Sequence, residues 1–189
     1  MECVILAAGS SSRLGMDKAL VDVGSQTLIS WISRRLSSRV ANITIVANES
    51  NFAEISKIVS DVNVILNRNP HEGRTGSLKV GIDSIDSSRV KDYRLLVVPV
   101  DRPGFSDSTL DHLICSEETC CPMKEGRGGH PLVLTFEDVD KVRRSSANSP
   151  LREVIEASRF EVLDRFLELN IDTPEDIINL QEKLQLVNE

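Results

Sequence analysis

Small, hydroxylated and basic residues follow the first apolar run of this chain. The run ends at Leu6-Ala7, and it is followed by Ala8-Gly9-Ser10-Ser11-Ser12-Arg13-Leu14-Gly15-Met16-Asp17-Lys18. Small residues leave backbone N–H groups accessible to phosphate oxygens. Arg13 offers a planar guanidinium for outer phosphate groups, and Lys18 offers a compact charge for a reacting phosphate. The pattern predicts a phosphate-binding loop; the alternative is a surface turn whose basic side chains face solvent.

Two common phosphate-binding motifs do not fit this loop. A Walker A motif requires glycine at the position that Leu14 occupies. The dinucleotide-binding motif requires glycine two residues after Gly9, where the chain has Ser11. The sequence therefore disfavours a P-loop protein and an NAD-dependent enzyme.

An aspartate at the end of a later apolar run is a candidate metal ligand. Asp101 follows the apolar residues 95–100 and precedes Arg102-Pro103. An ionised carboxylate beside a buried strand is costly unless a cation lies against it. Mg²⁺ is a suitable partner, because it combines a few carboxylate oxygens with phosphates and water. The alternative is an aspartate that only begins the turn before Pro103.

Two further segments carry residues that suit a small ligand. Asn67, Gly73 and Ser77 follow another apolar run. Glycine permits close approach of the backbone, and a helix that begins near Ser77 would favour an anion or a polar ligand edge at its N-terminus. The alternative is an ordinary connection from strand to helix. The second segment, Gly129-His130-Pro131, carries a histidine for which a structural role and a ligand-binding role are both open.

The apolar runs and the segments between them predict an α/β fold. Residues 4–7, 43–47, 62–66 and 95–100 have the continuous aliphatic composition of buried strands. Between these runs, apolar residues recur with helical spacing. Alternation of strand and helix implies right-handed crossovers and a mostly parallel sheet with helices on both faces.

Elements in the second half of the chain are less regular. Ser106 suits the N-cap of a helix, and a further helix is expected after Ser149-Pro150. Residues 119–123 and 131–135 are expected to pair as antiparallel strands, and residues 166–171 to form another strand. Thr173 is expected to cap one final helix that extends to Val187. We predict a single domain over residues 1–189.

Composition and charge exclude several function classes. The formal net charge of −7 argues against binding to nucleic acid or to an acidic membrane surface. No apolar stretch approaches the roughly 20 residues of a transmembrane helix, and the N-terminal residues do not resemble a signal peptide. The four cysteines show no metal-binding spacing and are expected to be reduced thiols of a cytoplasmic protein.

The motif Leu6-Ala7-Ala8-Gly9-x-x-x-Arg13-x-Gly15-x-x-Lys18 resembles the signature of nucleotidyltransferases with a Rossmann-like fold. Within that superfamily the chain is similar to the MobA-like NTP transferases, over nearly its whole length and in five ordered motifs. The resemblance implies a loop that wraps a triphosphate, with Arg13 at the β/γ end and Lys18 near the α-phosphate. It also implies Mg²⁺ between Asp101 and Asp172, the latter in the segment Asn170-Ile171-Asp172-Thr173-Pro174.

The resemblance assigns candidate residues to each part of the expected reaction. The candidate catalytic residues are Arg13, Lys18 and Asp101. The candidate acceptor contacts are Gly129, His130 and Pro131. The candidate nucleotide contacts are Leu6, Ala7, Ala8, Gly9, Ser10, Ser11, Ser12, Arg13, Lys18, Asn67, Gly73 and Ser77.

The expected activity is transfer of a nucleoside monophosphate from a nucleoside triphosphate to a small phosphorylated acceptor, with release of pyrophosphate. Details of the Ala-Ala-Gly-Ser start and of the Gly-His-Pro segment favour CTP and a molybdopterin-type acceptor. Guanylyl transfer from GTP to molybdopterin or to another phosphorylated metabolite is the alternative. A non-catalytic nucleotide-binding module is a further alternative, although binding alone would not need Arg13, Lys18, Asp101 and Asp172 together.

Overall fold

The computed structural model describes residues 1–88 and 92–188. Its centre is an eight-stranded mixed sheet with the order β3-β2-β1-β4-β7-β5-β6, and β8 pairs with β5. The strands are β1 (Glu2–Leu6), β2 (Asn42–Ala47), β3 (Asn63–Leu66), β4 (Leu95–Pro99), β5 (Cys120–Lys124), β6 (Arg127–Gly128), β7 (Leu132–Leu134) and β8 (Ser158–Glu161).

The first four strands are parallel to one another. β1 lies between β2 and β4, and Leu6 at its carboxyl end is level with Pro99 of β4. Because the chain winds from β1 to β2 and β3 on one side and returns to β4 on the other, a crevice opens at the carboxyl ends of β1 and β4. β7 then adds antiparallel to β4, and β5 adds antiparallel to β7.

Helices cover both faces of this sheet. They are α1 (Leu28–Ser37), α2 (Phe52–Ile58), α3 (Gly73–Asp86), α4 (Asp107–Cys115), α5 (Phe136–Arg144), α6 (Leu151–Val154), α7 (Pro174–Ile177) and α8 (Leu180–Gln185), with short 3₁₀ turns at Lys18–Leu20 and Pro70–Glu72. Successive residues of β1 point to opposite faces: Ile5 belongs to the core with α1, α2 and α4, and Val4 to the core with α3 and α5. In the described part of the chain, no helix is long and apolar enough to cross a membrane.

These observations confirm the predicted α/β fold with a mostly parallel sheet and helices on both faces. The predicted antiparallel strands also pair, since Cys120 of β5 lies opposite Val133 of β7. Ser106 caps α4 as expected, because its hydroxyl accepts a hydrogen bond from Thr109 N at 3.1 Å.

Two predicted elements of the second half are wrong. Residues 166–171 form the end of a turn and irregular backbone rather than a strand, because Leu169 N bonds to the Phe166 carbonyl and Ile171 N to the Asp101 carbonyl. The strand that joins the sheet in this region is β8, which precedes them. The final helix is interrupted at Asn179, whose φ of 59° is left-handed, a conformation that asparagine tolerates better than most residues.

Candidate active site

A cavity of about 330 Å³ opens at the carboxyl ends of β1 and β4. The loop after β1 forms one wall, and the N-terminus of α3 and the residues after β4 form the others. Most of the residues predicted from the sequence line it. They are Leu6, Ala7, Ala8, Gly9, Ser10, Ser11, Ser12, Arg13, Lys18, Gly73, Ser77, Asp101 and Asp172.

Asp101 and Asp172 meet in this cavity on either side of the Lys18 ammonium. Lys18 Nζ lies 3.4 Å from Asp101 Oδ2 and also donates a hydrogen bond to Asp172 Oδ1. Arg13 Nη2 lies 3.2 Å from Asp172 Oδ2, and Arg74 Nη2 lies 3.5 Å from Asp101 Oδ2. The hydrogen bond from Lys18 holds the pKa of Asp172 below its usual range, with smaller contributions from Asn170 and from the charges of Lys18 and Arg13.

The segment that carries Asp172 is hydrogen-bonded to the segment that carries Asp101. Ile171 N donates a 3.0 Å hydrogen bond to the carbonyl of Asp101. A second contact joins the same two segments, because the carboxylate of Asp164 accepts a 2.8 Å hydrogen bond from Ser106 N. The backbone N–H of Asp172 donates a 2.9 Å hydrogen bond to Asp176 Oδ2, which connects Asp172 to the start of α7. Two carboxylates that are distant in sequence are therefore held together by backbone hydrogen bonds.

The paired carboxylates suit a divalent cation. They already surround one positive group, the Lys18 ammonium, at the edge of an open cavity. Asn170 donates to Asp172 Oδ2 at 2.6 Å, while its own amide oxygen is buried without a hydrogen-bond partner. Among the described residues no group of three or more His, Cys, Asp or Glu side chains is arranged to hold a metal ion. Mg²⁺ and Mn²⁺ fit such a site, because they take few protein oxygens and complete their coordination with phosphate and water.

A second cavity, of about 820 Å³, adjoins the first. Its wall includes the apolar side chains of Val97, Leu132 and Ile155, with Arg152 and Arg159 among its charged residues. The two cavities share four lining residues, which are Leu6, Gly73, Arg74 and Pro99. A ligand in the second cavity would therefore reach the first beside Arg74.

The predicted acceptor residues lie at this second cavity, with one exception. Gly129 and His130 line it, and Pro131 does not. Burial, together with the nearby charges of Arg74 and Arg102, lowers the pKa of His130 to about 4. His130 is therefore a neutral hydrogen-bonding group near pH 7 and not a cation for a phosphate.

Asn67 differs from the other predicted nucleotide contacts because it lines neither cavity. Its buried amide donates to Ser77 Oγ at 3.0 Å and accepts a hydrogen bond from Asn69 N at 2.8 Å. Ser77 itself faces the cavity. Asn67 is thus linked to the cavity wall by its hydrogen bond to Ser77.

Sequence reasoning missed several residues that shape the site. Asn170 lines the first cavity, and a group formed by Asp17, Asn48 and Asn51 is hydrogen-bonded to the loop. Arg74, which the sequence offered as a possible phosphate or acceptor contact, lines both cavities. The signal for the last group was present, since Asn48 and Asn51 follow β2 at the same edge of the sheet. Asparagine at the end of a buried strand, however, also occurs in ordinary turns.

Comparison with known proteins agrees with this geometry. A family model described as the MobA-like NTP transferase domain matches residues 3–162. A molybdenum cofactor guanylyltransferase from Vibrio atlanticus is 30% identical over 125 residues, which are 65% of this chain and 56% of that protein. A molybdenum cofactor guanylyltransferase from Sinorhizobium fredii is 27% identical and covers 96% of this chain and 90% of that protein. A molybdenum cofactor cytidylyltransferase from Escherichia coli is 20% identical, and the match covers 97% of this chain and 96% of that protein.

Solved structures with the same fold extend over nearly the whole chain. Rv0371c from Mycobacterium tuberculosis has a TM-score of 0.80 at 19% identity, and covers 96% of each chain. Its complex with manganese has a TM-score of 0.75 at 17% identity, and covers 96% of this chain and 97% of that one. Molybdopterin-guanine dinucleotide biosynthesis protein A from Archaeoglobus fulgidus has a TM-score of 0.68 at 18% identity, and the match covers 96% of this chain and 97% of that one. The chain belongs to the MobA-like NTP transferase family and is a nucleotidyltransferase.

Proposed function

We propose that this chain transfers GMP from GTP to the phosphate of a molybdopterin-type acceptor, with Mg²⁺ as cofactor and pyrophosphate as the second product. The observation that carries the proposal is the meeting of two cavities at Arg74, beside the carboxylates of Asp101 and Asp172. One cavity has a loop of small and basic residues for a triphosphate. The other is larger and more apolar, which suits a flat organic acceptor with one charged end.

The residues of the first cavity would position the triphosphate and balance its charge. Phosphoryl-group transfer asks a protein mainly for alignment of the reacting groups and for neutralisation of developing charge. Backbone N–H groups between Ala8 and Ser12 would bind phosphate oxygens, and Arg13 would hold the β- and γ-phosphates. Lys18 would stabilise negative charge on the α-phosphate as an acceptor oxygen attacks in line.

Asp101 and Asp172 would hold the divalent ion, with Asn170 orienting Asp172. A divalent ion, when bound, neutralises phosphate charge and the charge that accumulates on departing pyrophosphate. The manganese complex of a protein with this fold supports such a site. At the acceptor side, Arg74 would pair with the attacking phosphate, and the neutral His130 would donate or accept one hydrogen bond.

GTP is the preferred nucleotide because the guanylyltransferases among the curated relatives have higher identity to this chain than the cytidylyltransferase has. This preference replaces the choice of CTP made from short motifs of the sequence. Cytidylyl transfer is the second candidate, and it is favoured by the match to the cytidylyltransferase over 97% of this chain.

The test is pyrophosphate release by the purified chain with Mg²⁺, molybdopterin and each of the four nucleoside triphosphates in turn. We expect release with GTP that requires both the acceptor and the metal, together with a guanine dinucleotide product identified by mass spectrometry. Release with CTP in place of GTP would select the second candidate. If no triphosphate gave an acceptor-dependent product, the choice of a molybdopterin-type acceptor would be wrong.

A further inference from the structure

We propose that Asn51 is a positioning residue for nucleotidyl transfer, because its one amide group holds both ends of the triphosphate loop and thereby places Lys18. This loop comprises residues 8–16 and connects Ala7 to Asp17. The inference rests on the proposed function, since it concerns the same cavity. Asn51 itself does not line the cavity and would act through the loop.

At the start of the loop, two asparagines of the turn after β2 hold the backbone. Asn51 Nδ2 donates a 2.9 Å hydrogen bond to the carbonyl of Ala7. Asn48 Nδ2 donates a 3.2 Å hydrogen bond to the carbonyl of Gly9. The two asparagines are joined as well, because Asn48 N donates to Asn51 Oδ1 at 2.9 Å. The direction of the chain as it leaves β1 is therefore set by the turn before α2.

At the end of the loop, the same amide nitrogen of Asn51 donates to Asp17 Oδ2 at 2.8 Å. The other oxygen of Asp17 accepts a 2.9 Å hydrogen bond from Ala19 N and so begins the 3₁₀ turn Lys18–Leu20. Lys18 N donates to Ser11 Oγ at 3.2 Å, and Lys18 Nζ reaches the two carboxylates of the site. Asn51 is thus connected with Lys18 through Asp17, the residue that precedes Lys18 in the chain.

The side chain at position 51 must be an amide of this length. Asn51 is 0% exposed, and its amide uses both N–H groups and its oxygen. Aspartate would lack the donors and would place a second carboxylate against Asp17, whose pKa burial already raises. The loop includes left-handed backbone at Ser11 (φ 49°) and Gly15 (φ 76°), so regular secondary structure does not hold it in place.

The test compares Asn51→Ala, Asn51→Asp and Asp17→Asn with the double variant Asp17→Asn/Asn51→Asp. We expect each single variant to lower kcat by about 10–100-fold, the scale expected when a reacting group is misplaced by about 1 Å. In the double variant the amide and the carboxylate exchange places. The hydrogen bond between positions 17 and 51 can then re-form, whereas the contact with the Ala7 carbonyl is lost in both variants that carry aspartate at position 51. We therefore expect the kcat of the double variant to lie above that of Asn51→Asp and below that of the wild type.

Ile55→Val provides the matched control. Ile55 is a fully buried residue of α2, and among the described residues it forms no hydrogen bond with the loop. We expect it to lower the melting temperature without changing the loop, and to keep kcat within twofold of wild type. The proposal is overturned if Asn51→Ala also stays within twofold, if Ile55→Val loses as much activity at an equal melting temperature, or if the double variant has no higher kcat than Asn51→Asp.

Binding of each nucleoside triphosphate with Mg²⁺, measured by thermal shift, separates this inference from the proposed function. If the wild type binds a triphosphate but transfers nothing to molybdopterin, the proposed acceptor fails. The role of Asn51 is then decided by binding alone: at least tenfold weaker affinity in Asn51→Ala supports it, and unchanged affinity overturns it. If Asn51→Ala does not fold, the double variant is compared with Asn51→Asp instead. Only the double variant restores the hydrogen bond between positions 17 and 51, so a higher kcat in it supports the proposal and an equal kcat overturns it.

Discussion

At the scale of single residues, the site is organised by the contact of one lysine with two carboxylates. The side chains of Lys18, Asp101 and Asp172 are 13%, 15% and 22% exposed, so all three are largely removed from water. Partly buried carboxylates repel each other unless a cation lies between them. We therefore expect Lys18 to serve the folded protein as well as the proposed reaction, and its removal to affect both.

Substitution of Lys18 by alanine should lower turnover by about 100-fold or more, the scale of losing one preorganised electrostatic group. It should also raise the pKa of Asp172, because the hydrogen bond from Lys18 is the largest cause of its low value. Steady-state kinetics at saturating GTP and acceptor measure the first effect. Lys57→Ala is the control, since Lys57 is an exposed residue of α2 that pairs only loosely with Glu54. Equal turnover in the two variants would contradict the role of Lys18.

His130 should titrate far below an ordinary histidine. Its folded-state pKa is about 4, against about 6.5 in the unfolded chain, so unfolding takes up a proton between these values. The stability that depends on neutral His130 is fully present above about pH 6.5 and falls by about 3 kcal/mol as the pH drops toward 4. NMR of the imidazole protons would measure the midpoint, and denaturant unfolding of His130→Gln should lack this loss. A midpoint near 6.5 would show that the cavity wall is open to water at this position.

At the scale of elements, the decisive contact joins the segment after β4 with the segment before α7. Residues 164–172 cross the carboxyl edge of the sheet, and their backbone meets that of residues 101–106. Gly104 lies at the closest approach, where a Cβ atom would lie 1.8 Å from the carbonyl oxygen of Phe166. Only glycine allows the two segments to approach so closely, and this approach brings Asp172 to Asp101.

Substitution of Gly104 by alanine should therefore destabilise the fold by about 2–3 kcal/mol and displace Asp172 from Asp101. Denaturant unfolding measures the first effect, and the Mg²⁺ dependence of pyrophosphate release measures the second. Gly128→Ala serves as the control, because its Cβ would meet no atom closer than 3.4 Å and should change stability by no more than about 0.5 kcal/mol. A Gly104→Ala variant as stable as this control would disprove the close approach.

The elements that the sequence predicted well are those whose pattern depends on burial alone. β1, β2 and β4 are covered by helices on both faces, so their aliphatic runs are continuous and easily recognised. β8 has the sequence Ser-Arg-Phe-Glu and is mostly exposed, so it offers neither an apolar run nor clear alternation. Residues 166–171 have the composition of a strand, but their polar backbone groups are satisfied by a turn and by Asp101, a contact that only tertiary structure provides.

The same distinction applies to the site. Arg13 and Lys18 lie in the loop that follows β1, and Asp101 follows β4, so their convergence follows from a parallel sheet whose strands end at one edge. Asn51 and Asp17 act through hydrogen bonds between segments that are not adjacent in sequence, and no local pattern distinguishes them from turn residues. Asp172 was placed by family resemblance, since its own neighbours suggest only the start of a helix.

At the scale of the whole molecule, an acidic protein has a cavity with basic residues in its wall. The formal net charge is −7, yet Arg13, Lys18, Arg74 and Arg102 line the first cavity. A triphosphate would therefore be attracted only at short range, since exposed charges act over about 8–10 Å at physiological salt. Asp101 and Asp172 add negative charge at the place where the phosphates would lie, so a divalent ion should be needed for tight binding.

Binding of GTP should accordingly stabilise the fold strongly with Mg²⁺ and weakly in EDTA. At 100 times its dissociation constant a ligand stabilises the folded state by about 2.7 kcal/mol, which for a protein of this size raises the melting temperature by about 5–10 °C. In Asp101→Ala and Asp172→Ala the difference between Mg²⁺ and EDTA should nearly vanish, because each variant leaves a single carboxylate for the ion. Asp61→Ala, at an exposed position outside both cavities, should retain the full difference. Equal shifts with and without Mg²⁺ in the wild type would mean that Lys18, Arg13 and Arg74 together balance the two carboxylates when the triphosphate binds, and that the metal does not belong to this site.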